Sequence, residues 1–216
     1  MRTLANLKIV DARPQHADFI AWVILTAFRS HLERGFWDFI RPGTDAQLLR
    51  YLRALTTSKA LHFTHLSLFI VAEVDGEPAA ALSGYFDEEH GGIKLRDGME
   101  EADAATAQVP DAQALDRALT ILNVAPEHPP GTWIIEDVAT RPQFRRRGLV
   151  DVLMEEIMER GRKRGATVSD IGVFIGNDPA QRAYEKAGYV LVGEKCDPQF
   201  EAVYKTPGVR SLRRTL

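Results

Sequence analysis

The stretch from Thr132 to Val192 constrains the fold most, because runs of strand character alternate there with runs of helical period. Thr132–Thr140 reads as a strand, and Arg141-Pro142 punctuates its end. Arg146–Arg164 carries two apolar rows at helical spacing, Leu149/Leu153/Ile157 and Val150/Met154/Met158. Val168–Ile175 is a second strand. Asn177 or Asp178 then caps a short helix, Pro179–Ala187, in which Pro179 suits the first turn and Gly188 the stop. Tyr189–Val192 and Phe200–Tyr204 are expected to be two final strands. Strand, helix, strand, helix, strand implies a mixed sheet covered by helices.

Upstream, Ile9-Val10 opens a short strand, and Ala17–His31 shows apolar residues at helical spacing. Thr44-Asp45 is an N-cap for a helix carrying Leu48, Leu49, Leu52 and Leu55. Leu66–Val74 and Ala79–Phe86 are β-rich runs joined at Asp75-Gly76, a strong hairpin signal. From Asp87 to Pro130 the character changes to ten acidic against three basic residues, with Gly91-Gly92, Pro126, Pro129 and Pro130. Only Ala112–Leu122 looks helical in it, so the segment is expected to be a variable acidic insert. The chain is read as one domain over residues 1–216. At 216 residues it can bury roughly 70% of its unfolded surface without a staple. Its single cysteine, Cys196, excludes an intrachain disulfide and fits a reducing, cytoplasmic setting. Phe19–Phe28, the longest nearly apolar run, is too short to span a bilayer, and Met1–Lys8 lacks a signal peptide's apolar core.

Net charge is −3 but uneven: residues 141–216 hold fifteen basic and ten acidic residues, giving +5 and leaving −8 before them. That split suits an anion pocket beside an acidic region. Two segments carry chemistry. In Thr140-Arg141-Pro142-Gln143-Phe144-Arg145-Arg146-Arg147-Gly148-Leu149-Val150 a strand, a turn and a helix start lie within a few residues. Free amides at a helix N-terminus bind anions, and Gly148 lets a phosphate approach the backbone. Cations in a helix's first turn oppose its dipole, so the three arginines there call for an anion nearby. In Asn177–Tyr189, Ala180, Tyr184 and Ala187 share one helix face, with small residues leaving a passage under the Tyr184 hydroxyl.

Together these segments resemble the GNAT superfamily of acyl-CoA-dependent N-acyltransferases. The family's loop, Arg/Gln-x-x-Gly-x-Gly/Ala after Val-x-Pro, is similar to Arg145–Val150 after Thr140-Arg141-Pro142. Its pattern Asn-x-x-Ala-x-x-x-Tyr-x-Lys-x-Gly-Phe is met in register by Asn177, Ala180, Tyr184, Lys186, Gly188 and Tyr189. One position departs, Val150, where the family prefers Gly or Ala. The resemblance implies a GNAT-like α/β (α+β) fold whose mixed, splayed central sheet is flanked by helices, the acidic insert preceding the cofactor-binding strand. It implies acetyl-CoA as cosubstrate. No metal is expected, because the six histidines show no compact ligand spacing and His62-Phe63-Thr64-His65 is only a weak pair. The pantetheine would pair with Val138, Ala139 and Thr140. Arg145, Arg146, Arg147 and the amides through Gly148, Leu149, Val150 and Asp151 would hold the pyrophosphate, with Asn177 and Ala180 beside the arm. Tyr184 would protonate the departing thiolate, and Glu136 is the candidate base, with Asp137 and water as competitors. A base and an acid suit amine attack on a thioester, each contributing about 10²–10⁴-fold. The expected activity is N-acetylation of a primary amine on a small molecule or peptide, and a homodimer is common in the family. The alternatives are a non-catalytic acyl-CoA sensor or interaction module on the same fold, and a basic-patch nucleic-acid binder. Against the latter stand the net negative charge and the lack of an aromatic-plus-basic platform beside Arg210, Arg213 and Arg214. No membrane contact is expected. The −7 of residues 87–130 points to a cationic acceptor.

Overall fold

The computed structural model describes residues 6–108 and 111–216. The reading of the N-terminal start falls partly on residues 1–5, which lie outside them.

Seven strands form one sheet in the order β1-β2-β3-β4-β5-β7-β6. β1 (Leu7–Asp11), β2 (Phe69–Val74), β3 (Glu77–Phe86) and β4 (Trp133–Thr140) are antiparallel neighbours. β5 (Val168–Phe174) is parallel to β4, and β7 (Gly208–Thr215) lies antiparallel between β5 and β6 (Val190–Cys196). The β2–β3 turn is Asp75-Gly76, at φ 53° and 81°. Two consecutive left-handed residues favour Asp-Gly at a tight hairpin.

One side of the sheet, the α1 face, carries the larger core. It packs α1 (Ala17–Arg29), α2 (Phe36–Ile40) and α3 (Asp45–Thr56), together with α5 (Gly92–Thr106), α6 (Ala112–Leu119) and α9 (Pro198–Tyr204). The opposite side, the α7 face, packs α7 (Leu149–Lys163) and α8 (Asp178–Lys186). α3 begins as expected, with Thr44 and Gln47 forming a capping box. Among the described residues no helix is long and apolar enough to cross a membrane.

Two expectations are corrected. Phe200–Tyr204 is not a strand but most of α9: Asp197 accepts from the Phe200 amide at 2.8 Å, and Pro198 occupies the first turn. The final strand is instead β7, hidden in the sequence by its arginines. The acidic segment is also more ordered than one helix, for α4 (Asp87–His90) and α5 precede α6. Its carboxylates tie it down. Asp103 holds Arg41 through bonds of 2.8 and 2.7 Å, Glu101 accepts from the Lys59 amide at 2.8 Å, and Glu127 meets Lys195 at 2.8 Å.

α7 is set on the sheet by Trp133, the first residue of β4. A Cβ on Gly161 of α7 would lie 2.8 Å from the indole, and one on Gly84 of β3 would also meet it at 2.8 Å. Both glycines exist because the ring fills their side-chain space. Gly161→Ala improves helix propensity by about 1 kcal/mol but overpacks the indole at a cost of about 1–3 kcal/mol. We predict a net loss, a Tm lower by about 2–6 °C. The same substitution made on a Trp133→Phe background should cost less, and calorimetry of the four-member cycle measures the difference.

Candidate active site

The turn after β4 is built by backbone conformation. Pro142–Phe144 make a 3-10 turn, and then Arg146 and Gly148 adopt φ 59° and 77°. Two left-handed residues cannot continue a right-handed helix, so α7 starts at Leu149 and not at Arg146. The three arginines therefore sit in the loop, all exposed, rather than in the helix's first turn. The first turn holds Asp151 instead, which favours the dipole and pairs with Lys186 of α8. The first helical bond runs from the Val152 amide to the Gly148 carbonyl, leaving the amides of Leu149, Val150 and Asp151 without helical partners. They border a cleft of about 280 Å³ lined by Thr140, Arg146, Gly148, Val150 and Lys186, among others. A Cβ on Gly148 would meet only Asp151 Oδ2, at 3.7 Å, so the cleft is open at the backbone. Thr140 Oγ1 is buried with no partner. Arg145 Nε donates to the Thr140 carbonyl at 3.3 Å, and Arg147 lies over the Phe144 ring at 5.2 Å. Of the three arginines only Arg146 lines the cleft.

β4 and β5 pair for three residues only, Trp133–Ile135 with Ser169–Ile171. From Glu136 to Thr140 the β5-facing edge of β4, including Val138 and Ala139, has no strand partner among the described residues. The parting coincides with a bulge: Ala81 of β3 faces Ala139 while Ser83 faces Glu136, so β4 carries an extra residue. Asp137 has φ 54°. A bulge bends its strand and increases its twist, carrying the end of β4 away from β5.

Asn177 caps α8, its Oδ1 accepting from the Ala180 amide at 3.3 Å, while its Nδ2 donates to Ser30 Oγ at 2.6 Å. It thus ties the start of α8 to the end of α1. Ala180 is half-buried against the α7-face core, which also contains Tyr184. The Tyr184 hydroxyl has no hydrogen-bond partner among the described residues. Burial, with Tyr189 nearby, pushes its pKa up, so the hydroxyl stays protonated at neutral pH.

Glu136 lies on the α1 face, since its neighbour Ile135 belongs to the α7-face core. The Tyr85 hydroxyl donates to Glu136 Oε2 at 2.8 Å. Burial raises the Glu136 pKa, and the Tyr85 bond opposes the rise. Tyr85 was not singled out by sequence; β3–β4 pairing, which sets it beside Ile134, has no local signal. Strict alternation would place Asp137 opposite Glu136, but its left-handed backbone interrupts the alternation. It is buried with neither carboxylate oxygen partnered. Burial, then the charge of Glu136, pushes its carboxyl well above the usual range. The His62-x-x-His65 pair is structural: His62 is fully buried, within 3.1 Å of Ser58 Oγ and the Leu55 carbonyl.

The profile of the "Acetyltransferase (GNAT) family" matches residues 29–189. No curated protein matches significantly. Among solved structures, a crystal structure of an acetyltransferase aligns with a TM-score of 0.70 at 17% identity, covering 96% of this chain and 98% of that one. An N-acetyltransferase from Staphylococcus aureus Mu50 aligns with a TM-score of 0.63 at 18% identity, over 96% of this chain and 100% of that one. Salmonella typhimurium yncA, solved with its cofactor acetyl-CoA, aligns at 0.53 and 14% identity, over 98% and 95%. These likenesses show the fold.

The orphaned carboxyl gives a pH test. A raised folded pKa means that Asp137 costs stability as pH climbs through the unfolded value, about 3.9, and costs most above the folded value. Asp137→Asn should therefore raise Tm at pH 7–8, with the gain shrinking toward pH 4. A Tm difference independent of pH would mean that this carboxyl does not titrate between the two states.

Proposed function

The chain belongs to the Acetyltransferase (GNAT) family, and from that premise we propose that it is an N-acetyltransferase, moving acetyl from acetyl-CoA to a primary amine by direct attack. The observation that carries the reading is the unpaired end of β4 leading into the free amides of α7. The residues fit acetyl-CoA: an open left-handed glycine, three free amides, a lining arginine and the unpartnered Thr140 Oγ1 converge on one cleft. When bound there, acetyl-CoA supplies an acyl group activated as a thioester.

The protein's own residues divide the work. Val138, Ala139 and Thr140 offer backbone groups to the pantetheine, as a strand would. Arg145, Arg146 and Arg147 and the amides of Gly148 through Asp151 hold the pyrophosphate. Asn177 and Ala180 border the arm. Tyr184 gives a proton to the leaving sulfur, for which its raised pKa keeps the proton in place. Glu136 takes the amine's proton through a water; its raised pKa makes the carboxylate a stronger base than an exposed one. The two groups belong to opposite faces of the sheet, so deprotonation and leaving-group protonation do not compete for one site. Residues 1–216 act as one such domain.

The acceptor is a small-molecule or peptide amine, and a cationic one. Most carboxylates of residues 87–130 are engaged, so this preference rests less on the segment's net charge than on Asp87 and Glu136, whose charges act on the same Tyr85 hydroxyl. Binding of acetyl-CoA with no turnover across an amine panel would favour the sensor reading.

Two variants test the roles. Gly148→Asp sets a carboxylate at the cradle, so acetyl-CoA binding by calorimetry should vanish while circular dichroism is unchanged; retained affinity would remove the pyrophosphate assignment. Tyr184→Phe loses no protein hydrogen bond, so Tm should hold while kcat falls at least about tenfold. Undiminished kcat would remove Tyr184 from the mechanism.

A further inference from the structure

Gly172 is exposed although β5 is an interior strand flanked by β4 and β7. A Cβ on it would meet only Val209 at 3.6 Å and Pro126 at 3.7 Å, both ordinary contacts. The sheet is therefore open at this point. Asp170 faces Ile134 in register and the pairing ends one residue later at Ile135–Ile171, so Glu136 and Gly172 both lie just past the point where the strands part, on the α1 face.

Beside this opening stands an imidazole that the proposed function does not use. His128, in the connection leading into β4, has Nδ1 2.9 Å from Asp170 Oδ2. Asp170 is 1% exposed and also accepts two bonds of 2.7 Å from Arg213. Burial opposes its ionisation, but the bonds from Arg213 and His128 outweigh burial and lower its pKa. An ionised carboxylate only accepts, so Nδ1 carries the hydrogen and Nε2 of the neutral ring keeps its lone pair. Nε2 has no partner among the described residues, and the His128 side chain is 20% exposed. The imidazole is thus fixed in one tautomer, part in solvent and part against the site.

We propose that His128, held by Asp170 and Arg213, is the proton outlet of the acceptor side. It receives the amine's proton from Glu136 through water and returns it to solvent. The proposal rests on the acyl-transfer reading and completes its proton balance. The amine enters as an ammonium ion, and one proton passes by way of Glu136 to His128 Nε2. The resulting imidazolium is balanced by Asp170 until it loses that proton to solvent. The second N–H proton is lost as the N–C bond forms and the C–S bond breaks with its electron pair going to sulfur. That proton passes through water to the Tyr184 oxygen, replacing the one Tyr184 gave the sulfur, so one proton leaves per turnover. Glu136 is half-buried and bonded to Tyr85, and a second acid–base group that reaches solvent resets it between turnovers. The charged groups around the imidazole are Asp170 of β5, Arg213 of β7 and Glu136 of β4. Asp87 at the start of α4 acts on Glu136, and the Glu127–Lys195 pair adjoins the loop.

The test uses the full chain, acetyl-CoA and an amine that the wild type acetylates. His128→Gln should lower kcat about tenfold or more at neutral pH while KM for the amine and acetyl-CoA affinity by calorimetry stay unchanged. The acid limb of its kcat–pH profile should change, leaving only the limb that Glu136 sets, and its turnover should rise with buffer concentration where the wild type's does not. Asp170→Asn, which frees the tautomer, should give the same altered pH profile. Wild-type kcat and pH profile in His128→Gln would overturn the outlet and leave the acyl-transfer reading standing. A uniform drop with unchanged pH and buffer response would mark a structural role and overturn it equally. A wild type that acetylates no amine would overturn both readings.

Discussion

β4 answers to two neighbours that make unequal demands. It pairs with β3 along its length and with β5 for three residues, and the extra residue at Asp137 marks where the second pairing is given up. Three features depend on that bend: β4 backbone left without a partner on one edge, a helix start at its end, and an opening between two strands of a continuous sheet. A left-handed non-glycine residue with a buried, unpartnered carboxyl is costly, on the order of 1–3 kcal/mol for the backbone alone. It persists because the packing around it is overdetermined. Trp133 pins the start of β4 between Gly84 and Gly161, and α1 packs across the sheet beside it.

The bend also separates chemistry by face. The α7 face presents Tyr184, whose hydroxyl burial keeps protonated, and the α1 face presents Glu136 with Tyr85. Charge follows the same division. The arginines of the C-terminal third are largely neutralised inside the fold, Arg210 by Glu194, Arg213 by Asp170 and Arg214 by Glu155. Among the described residues of that third, Arg182 on α8 and Arg145, Arg146 and Arg147 before α7 meet no carboxylate, and only the last three stand together, at the helix start. The basic tail that hints at nucleic acid in the sequence is, in the fold, a set of ion pairs within the sheet and its helices.

Local rules were readable wherever local chemistry decides. Asp75-Gly76 makes the hairpin, Thr44 with Gln47 starts α3, Asn177 with Pro179 starts α8, and the two motif segments land on one cleft. Phe200–Tyr204 shows the limit. Its aromatic residues suit a strand, yet Asp197-Pro198 is a helix start, and Phe200 and Tyr204 at i and i+4 stack at 4.4 Å. Gly208–Thr215 shows the converse: three arginines mask a strand, because their stems lie along the sheet while their heads find carboxylates from other elements.

The sequence by itself therefore determined the elements whose signals lie within a few residues of one another, including the arginine-rich turn before α7, the tyrosine helix and the family they resemble. Only the tertiary structure decided that β7 enters between β5 and β6, that Arg146 and Gly148 delay α7, and that α4 and α5 precede α6. It also brought Tyr85 to Glu136 across 51 residues and His128 to Asp170 across 42. Caps, turns and periodicities are written by neighbours in the chain. Strand order, bulge position and buried polar pairs are selected by which distant surfaces exclude water together, and no short stretch of sequence encodes that choice.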